Sequence, residues 1–335
     1  VAFLTGFGSQ GPETFPSFAR ALSDRYDIQT IDLTVDTVPD LSRDIFDIVV
    51  VAGPQQPLPA PALEALGSFV GAGGSALFLI DKHQVSPEGP MMYPVFTGLE
   101  GFLEERGVGT EAGVVLDHGS NSKISMGQQG IFNVVRPYPL WPIAVRGDPH
   151  TTTRDLSNLS LGWATVLTVT DSTVRRLWVT TELGAIQQAG GIIMPDALLE
   201  PDRNDFQVLT VAVALDPAAS DDGESSAGGD DSATDGRMIV IGDVDFLQEQ
   251  FLEANRQNLV FTLNAIDWLA QDEALIGIRS KLRTPPVMAF TSEFQSAALK
   301  WGNLAGVPVL FVLLGLVRVT GRRRRAEARW NEAPS

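Results

Sequence analysis

Short, uninterrupted apolar runs alternate with amphipathic stretches over the first third of the chain. VAFLT at 1–5 ends at Gly6, and 14–26 carries apolar residues at helical spacing. IQTIDL at 28–33 and DIVVVAG at 47–53 are β-branched runs bounded by turn residues, and SALFLI at 75–80 follows a glycine-rich turn. Between them, Leu58 to Val70 forms an amphipathic pattern with prolines at its entry. Strands that are apolar on both faces and separated by helices predict a parallel sheet covered on both sides, so the first 120 residues read as a doubly wound α/β unit.

The pattern changes from Gly119 to about Asp205. Pro137, Pro139, Pro142 and Pro149, a threonine-rich run and pieces such as TVLTVT and RLWVTT replace the helical period. A β and loop insertion over 119–205 is expected, returning to the sheet at FQVLTVAVAL, 206–215. The segment 216–236 has seven acidic residues and almost no apolar side chains, so it cannot bury enough surface to offset ordering and is expected to be a disordered loop. RMIVIGD at 237–243 is the next strand, which makes the acidic loop an interruption between two adjacent strands. The densest helical signal follows, from Phe246 to Ala270.

Near the end lies WGNLAGVPVLFVLLGLV, Trp301 to Val317, without a charge. At about 1.5 Å per residue its 17 positions span roughly 25 Å, a little less than a bilayer's apolar core of about 30 Å. Lys300 and Arg318 can snorkel to lengthen the span, and Trp301 suits the membrane interface. A buried core helix is the competing reading for a run of this length. Against it stands the block Arg322, Arg323, Arg324 and Arg325, which holds that end on the cytoplasmic side. The expected organisation is an extracytoplasmic domain over 1–298, a transmembrane helix over 299–321 set among membrane lipid, and a basic cytoplasmic tail over 322–335. Val309, Leu313 and Leu316 share one face of that helix, while Gly302, Gly306 and Gly315 would permit close helix approach.

Charge sharpens this division. The net charge of −17 combines +4 over 318–335, from six arginines and two glutamates, with −21 over 1–317. A domain so acidic is a poor partner for nucleic acid. Without cysteine, disulfides, thiolate metal sites and a cysteine nucleophile are excluded. The chain opens with Val1 inside an apolar run, so a signal, a further membrane segment or a fused domain is expected ahead of it.

Gly6-Phe7-Gly8-Ser9-Gln10-Gly11 matches GxGxxG after a strand and before a helix, with Asp32 ending the second strand. Such glycines let backbone N–H groups approach a pyrophosphate, although a bland tight turn needs them equally and Pro12 removes a donor. His83, His118 and His150 stand beside aspartates in loops without metal-ligand spacing, and solvated loop histidines compete with any metal site. Asp243 and Asp245 end the 237–243 strand, where open α/β sheets bind ligands. They could serve as an acid and base pair of a hydrolase, or Asp245 could cap the helix from Phe246. A ligand crevice formed by Gly6, Gly8, Ser9, Asp81, His83, Asp243 and Asp245 is the site expectation, for a glycan or a nucleotide. No cofactor or metal is expected, and neither GxSxG nor GxxxxGK[ST] occurs.

The G-D-x-D-F strand end at Gly242 to Phe246, N-A-x-D-W-L at Asn264 to Leu269 and the L-I-x-I-R-x-K exit at Leu275 to Lys281 form a recognisable arrangement. With the terminal apolar helix and arginine tail it resembles the GldG-like, gliding-motility-associated auxiliary components of ABC transporters. The opening V-A-F-L-T-G strand is similar too, but Phe7 and Ser9 stand where that family usually has the His and Glu of a G-H-G-E turn. The resemblance implies a non-enzymatic, extracytoplasmic domain with a Rossmann-like or glutamine-amidotransferase-like sheet, anchored in a prokaryotic inner membrane. It also implies a permease subunit and a separate cytoplasmic ATPase as partners, with an envelope glycan or protein as ligand.

Overall fold

The computed structural model describes residues 1–35, 41–85, 91–129, 132–188, 193–194, 201–217 and 235–271. The chain divides into two units, Val1–Ala289 and Phe290–Ser335, and every described residue lies in the first. The apolar span Trp301 to Val317, the contact positions Val309, Leu313 and Leu316, Arg322 to Arg325 and the LIGIRSK exit fall outside the described residues. Among the described residues no helix is long and apolar enough to cross a membrane.

The apolar runs become strands close to where the pattern places them. β1 (Ala2–Thr5), β2 (Gln29–Asp32), β3 (Ile48–Ala52) and β4 (Ser75–Leu79) lie parallel in the order β2-β1-β3-β4. Alternate side chains of these strands enter different layers. Phe3, Val50 and Leu77 pack beneath α1 (Pro16–Ser23), whose Phe18 and Leu22 face them. Leu4, Val51 and Phe78 pack on the other face beneath α2 (Ala60–Gly71), through Leu66, Phe69 and Val70. Pro16 and Pro61 sit in the first turns of these helices, where a missing N–H costs no intrahelical bond.

Between β4 and the next parallel strand the chain makes a long excursion. It contains β5 (His83–Val85) and β6 (Met92–Pro94), a separate two-stranded sheet, then α3 (Leu99–Glu104) and β7 (Val108–Asp117). β8 (Asn121–Gln129) and β9 (Phe132–Arg146) form an antiparallel hairpin, followed by β10 (Asn158–Ser160), β11 (Thr165–Val169), β12 (Arg175–Val179) and β13 (Gly184–Gln187). β14 (Thr210–Leu215) then lies antiparallel to both β12 and β15 (Met238–Ile241), and β15 is parallel to β4.

Among the described residues the result is a mixed α/β fold on a 13-stranded sheet, with few helices. The expectation of a doubly wound parallel unit over the first 120 residues holds for β1 to β4 but needs correction at β7, which pairs antiparallel with β11 and β13; the half of the sheet beyond β15, in the order β14-β12-β9-β10, is antiparallel as well. β14 pairs antiparallel with β15 through Ala212 to Leu215 against Met238 to Ile241. Of the acidic segment, residues 218–234 lie outside the described residues. At its ends Asp216 and Arg237 form an ion pair of 3.5 Å, and the Arg237 guanidinium stacks 4.7 Å from the Trp268 ring centroid.

The helical signal from Phe246 to Ala270 resolves into separate pieces. A 3₁₀ turn at Asp245–Leu247 precedes α4 (Glu249–Ala254), and α5 (Gln257–Leu269) is separate. Asn255 breaks the run. Its backbone is extended (φ −144°, ψ 98°), its Oδ1 accepts from the Gln257 N–H, and its Nδ2 donates to Asn158 Oδ1 and Ser160 Oγ. An asparagine offers the backbone this alternative to an unbroken helix, and here the bonds to β10 fix it. α5 then buries Phe261, Ile266 and Trp268 on the same layer as α1, with Phe261 edge-on to Trp178.

Candidate functional site

The carboxyl ends of the parallel strands are the place to look, because loops there diverge and leave a crevice. One of about 200 Å³ opens at the ends of β3, β4 and β15. Asp81 and His83 line it from the β4 side, Asp245 and Gln248 from the β15 side, and Gln10 and Gln55 from the loops after β1 and β3. Asp81, His83 and Asp245 all line this crevice, while Gly6, Gly8 and Ser9 are not in the lining and Asp243 lies behind it.

The glycine turn explains its own exclusion. Gly6, Phe7 and Gly8 all have positive φ, at 96°, 51° and 84°. The Ser9 N–H donates to the Gly6 carbonyl, the Gln10 N–H to the Ala52 carbonyl, and the Gln55 and Gln56 N–H groups to the Phe7 carbonyl. A Cβ on Gly8 would come within 2.9 Å of the Gln55 backbone nitrogen. Only glycine fits that approach, so the turn seals two loops together. The Ser9 and Gln10 amides that a pyrophosphate would need are already used. Nor does a helix begin at the glycines: a 3₁₀ turn at Pro12–Thr14 intervenes before α1.

Asp243 and Asp245 have roles opposite to the simplest expectation. Asp243, fully buried, caps the 3₁₀ turn: its Oδ1 accepts from the N–H groups of Asp245 (2.7 Å) and Phe246 (3.3 Å). Its Oδ2 accepts from the Gly162 N–H at 2.6 Å, tying the excursion to the strand end. Asp245 does not cap the turn from Phe246; it faces the crevice and accepts a hydrogen bond from Gln248 Nε2. A hydrolytic pair needs both carboxyls open to substrate, and Asp243 has no solvent exposure. Gly242 makes the arrangement feasible, since a Cβ there would lie 2.4 Å from the Thr165 carbonyl oxygen.

Electrostatics follow from this burial. Burial pushes the Asp245 carboxyl up to about 6, against the hydrogen bond from Gln248. Burial also raises Asp81 and Asp243 well above the usual carboxylate range, helped at Asp81 by the charge of Asp245 and at Asp243 by those of Asp81 and Asp245. A backbone N–H, from Val244 to Asp81 Oδ1 at 3.2 Å, opposes this at Asp81. The His83 imidazole is held below its usual range by burial and then by neighbouring Lys82, so it is neutral near pH 7. Lys82 itself pairs with Glu100 at 2.7 Å.

Two atoms of this crevice stay unmatched. His83 Nδ1 and Gln10 Oε1 are buried and have no hydrogen-bond partner among the described residues, and His83 as a whole is 7% exposed. Buried polar atoms are nearly always paired in folded proteins, so these two leave hydrogen-bonding capacity on the crevice's lining residues that the described side chains do not fill. The described residues contain no group of three or more His, Asp or Glu side chains arranged to hold a metal. His118 stacks on Phe206, and His150 accepts from the Thr152 N–H and packs on Trp268; neither lines the crevice.

Gln55, Gln84 and Gln248 were not legible as site residues, and Gln10 only as part of the Gly6 to Gly11 turn. They come from four segments, and no spacing joins them. The buried asparagines likewise gave no individual signal. Asn258 accepts from the Ser160 N–H and donates to the Ser160 and Phe246 carbonyls, bolting α5 to β10 and the 3₁₀ turn. The G-D-x-D-F and asparagine-helix motifs are therefore the two halves of one clamp beneath the crevice.

A family model described as an ABC-type uncharacterized transport system matches residues 1–272. Among solved structures, the mmIFT52 N-terminal domain is similar in fold, with a TM-score of 0.53 at 13% identity over 81% of this chain and 97% of that one. A ThuA-like protein from Parabacteroides merdae has a TM-score of 0.41 at 11% identity, over 87% and 94%. A β-galactosidase from Rahnella sp. R3 has a TM-score of 0.40 at 11% identity, over 80% of this chain and 31% of that enzyme. No curated protein matches.

Proposed function

This chain belongs to the family of ABC-type transport-system auxiliary components, and on that footing we propose that it is a membrane-anchored, non-enzymatic subunit of the GldG-like kind, working with a permease and a separate cytoplasmic ATPase. The observation that carries the reading is the family match across residues 1–272. Residues 1–335 contain no GxxxxGK[ST], so they supply no P-loop of their own, and ATP hydrolysis is assigned to a partner. Support for the anchor is the uncharged run Trp301 to Val317 followed by Arg322 to Arg325, which orients the domain outside the cytoplasm of a prokaryotic inner membrane. The parallel order β2-β1-β3-β4-β15, with helices packed on both faces, supports a Rossmann-like ancestry for that half of the sheet.

The segment 299–321 is the proposed contact with the permease, through Val309, Leu313 and Leu316. Photo-crosslinkers placed singly at these positions in cell membranes test this: at least one covalent adduct with a polytopic protein is expected. Crosslinks to lipid alone at all three would remove the proposed contact.

A second reading is favoured by the orphan atoms His83 Nδ1 and Gln10 Oε1. In it, the crevice is a ligand-binding site of the extracytoplasmic domain, and the transporter responds to or delivers what binds there.

A further inference from the structure

The crevice's own chemistry narrows the ligand, provided the second reading above holds. Three features decide. First, its described lining contains no Lys or Arg but has two carboxyls, Asp81 and Asp245, with the Asp243 carboxyl behind them. A phosphate brings negative charge and acceptors only, so it would meet repulsion and leave Gln10 Oε1 without a donor. Second, the lining mixes acceptors with donors. Gln10 Oε1 and His83 Nδ1 are unmatched, while Gln84 Nε2 reaches Gln55 Oε1 only at 3.4 Å. A hydroxyl both donates and accepts, so it satisfies such a lining whether Asp245 is ionised or protonated; an ammonium only donates and needs ionised carboxylates. Third, Val85, Val95 and Val244 supply apolar surface, and a crevice of about 200 Å³ is smaller than a drug-sized pocket of about 300 Å³ or more.

We propose that this crevice binds a neutral, hydroxyl-rich ligand the size of one sugar residue, with Asp245 and Gln10 as its hydrogen-bonding partners and the His83 ring against it. The hydroxyl hydrogens go to Gln10 Oε1 and the Asp245 carboxyl, and the buried His83 ring closes one wall. A chain of sugars would present one residue here while the remainder runs over the rim.

The test uses the full chain in mild detergent with imidazole-¹⁵N-labelled histidine, titrated separately with a set of neutral methyl glycosides, with ADP and with spermidine. His118 and His150 lie outside the crevice and serve as internal controls. A methyl glycoside is expected to shift the His83 resonance alone, with about millimolar affinity for a single ring. Asp245→Asn should weaken that binding by about tenfold through loss of a charged acceptor; should this variant fail to fold, Gln10→Leu replaces it with the same expectation. A shift of His83 by ADP or spermidine with silent glycosides overturns the ligand class and leaves the crevice as a binding site. Silence of all three probes overturns both. A glycoside shift unaltered in the variants places the sugar elsewhere and also overturns the proposal.

Discussion

Replacing Asp245 by Asn gives a prediction whose size follows from the site. Burial lifts this carboxyl from an ordinary 3.8 to about 6. The native state then binds the proton more tightly than the unfolded chain does. Its contribution to stability is therefore greatest near pH 4 and is lost as pH rises through about 6. At about 1.4 kcal/mol for each tenfold change in proton affinity, a fully buried group would lose about 3 kcal/mol. Asp245 is partly open to solvent, so about 2 kcal/mol is the working figure. Asn has the same shape and still accepts from Gln248, but it does not ionise. It also removes the charge that helps raise Asp81 and Asp243. Urea unfolding of the full chain in mild detergent, followed by tryptophan fluorescence from about pH 3 to about pH 7.5, should show nearly equal midpoints at the acid end, below the unfolded pKa. Toward neutrality the variant should become the more stable by about 2 kcal/mol. Parallel pH profiles for the two proteins would refute the argument, because they would mean that Asp245 ionises no differently in the folded state.

Two further predictions address the clamp beneath the crevice. Asn258→Ala leaves the Ser160 N–H and the Ser160 and Phe246 carbonyls without their side-chain partner; a loss of about 3–5 kcal/mol is expected in the same unfolding assay. Gly242→Ala places a methyl 2.4 Å from the Thr165 carbonyl oxygen and should cost about 1–3 kcal/mol by overpacking, with the crystal structure of the variant showing β15 and β11 moved apart. An unchanged urea midpoint in either variant would contradict the geometry described.

Much of the sheet was legible because β1, β3, β4 and β15 are apolar on both faces, and burial on two sides produces uninterrupted runs. Direction was not legible at β14. TVAVAL is buried at every position, yet both its neighbours are antiparallel, since a run reports burial and not direction. The helix break at Asn255 was hidden because its cause, the hydrogen bonds to Asn158 and Ser160, lies 97 and 95 residues away. In the crevice, the strand-end positions of Asp81 and Asp245 gave them away. Asp243 and Asp245, two residues apart, exchanged their expected parts because only the fold decides which carboxyl meets the turn's N–H groups. The GxGxxG match failed on hydrogen-bond accounting: backbone donors that the motif would offer to phosphate close a turn against β3.

Partnership within a transport system is the property proposed for this chain. Purification of the full chain through a tag after extraction in mild detergent, followed by quantitative mass spectrometry, measures that directly. A polytopic permease and an ATPase bearing GxxxxGK[ST] should be recovered in fixed stoichiometry with the chain, and excision of 299–321 should abolish their recovery. Recovery of the intact chain alone, under extraction conditions that keep other membrane complexes whole, would contradict the central claim.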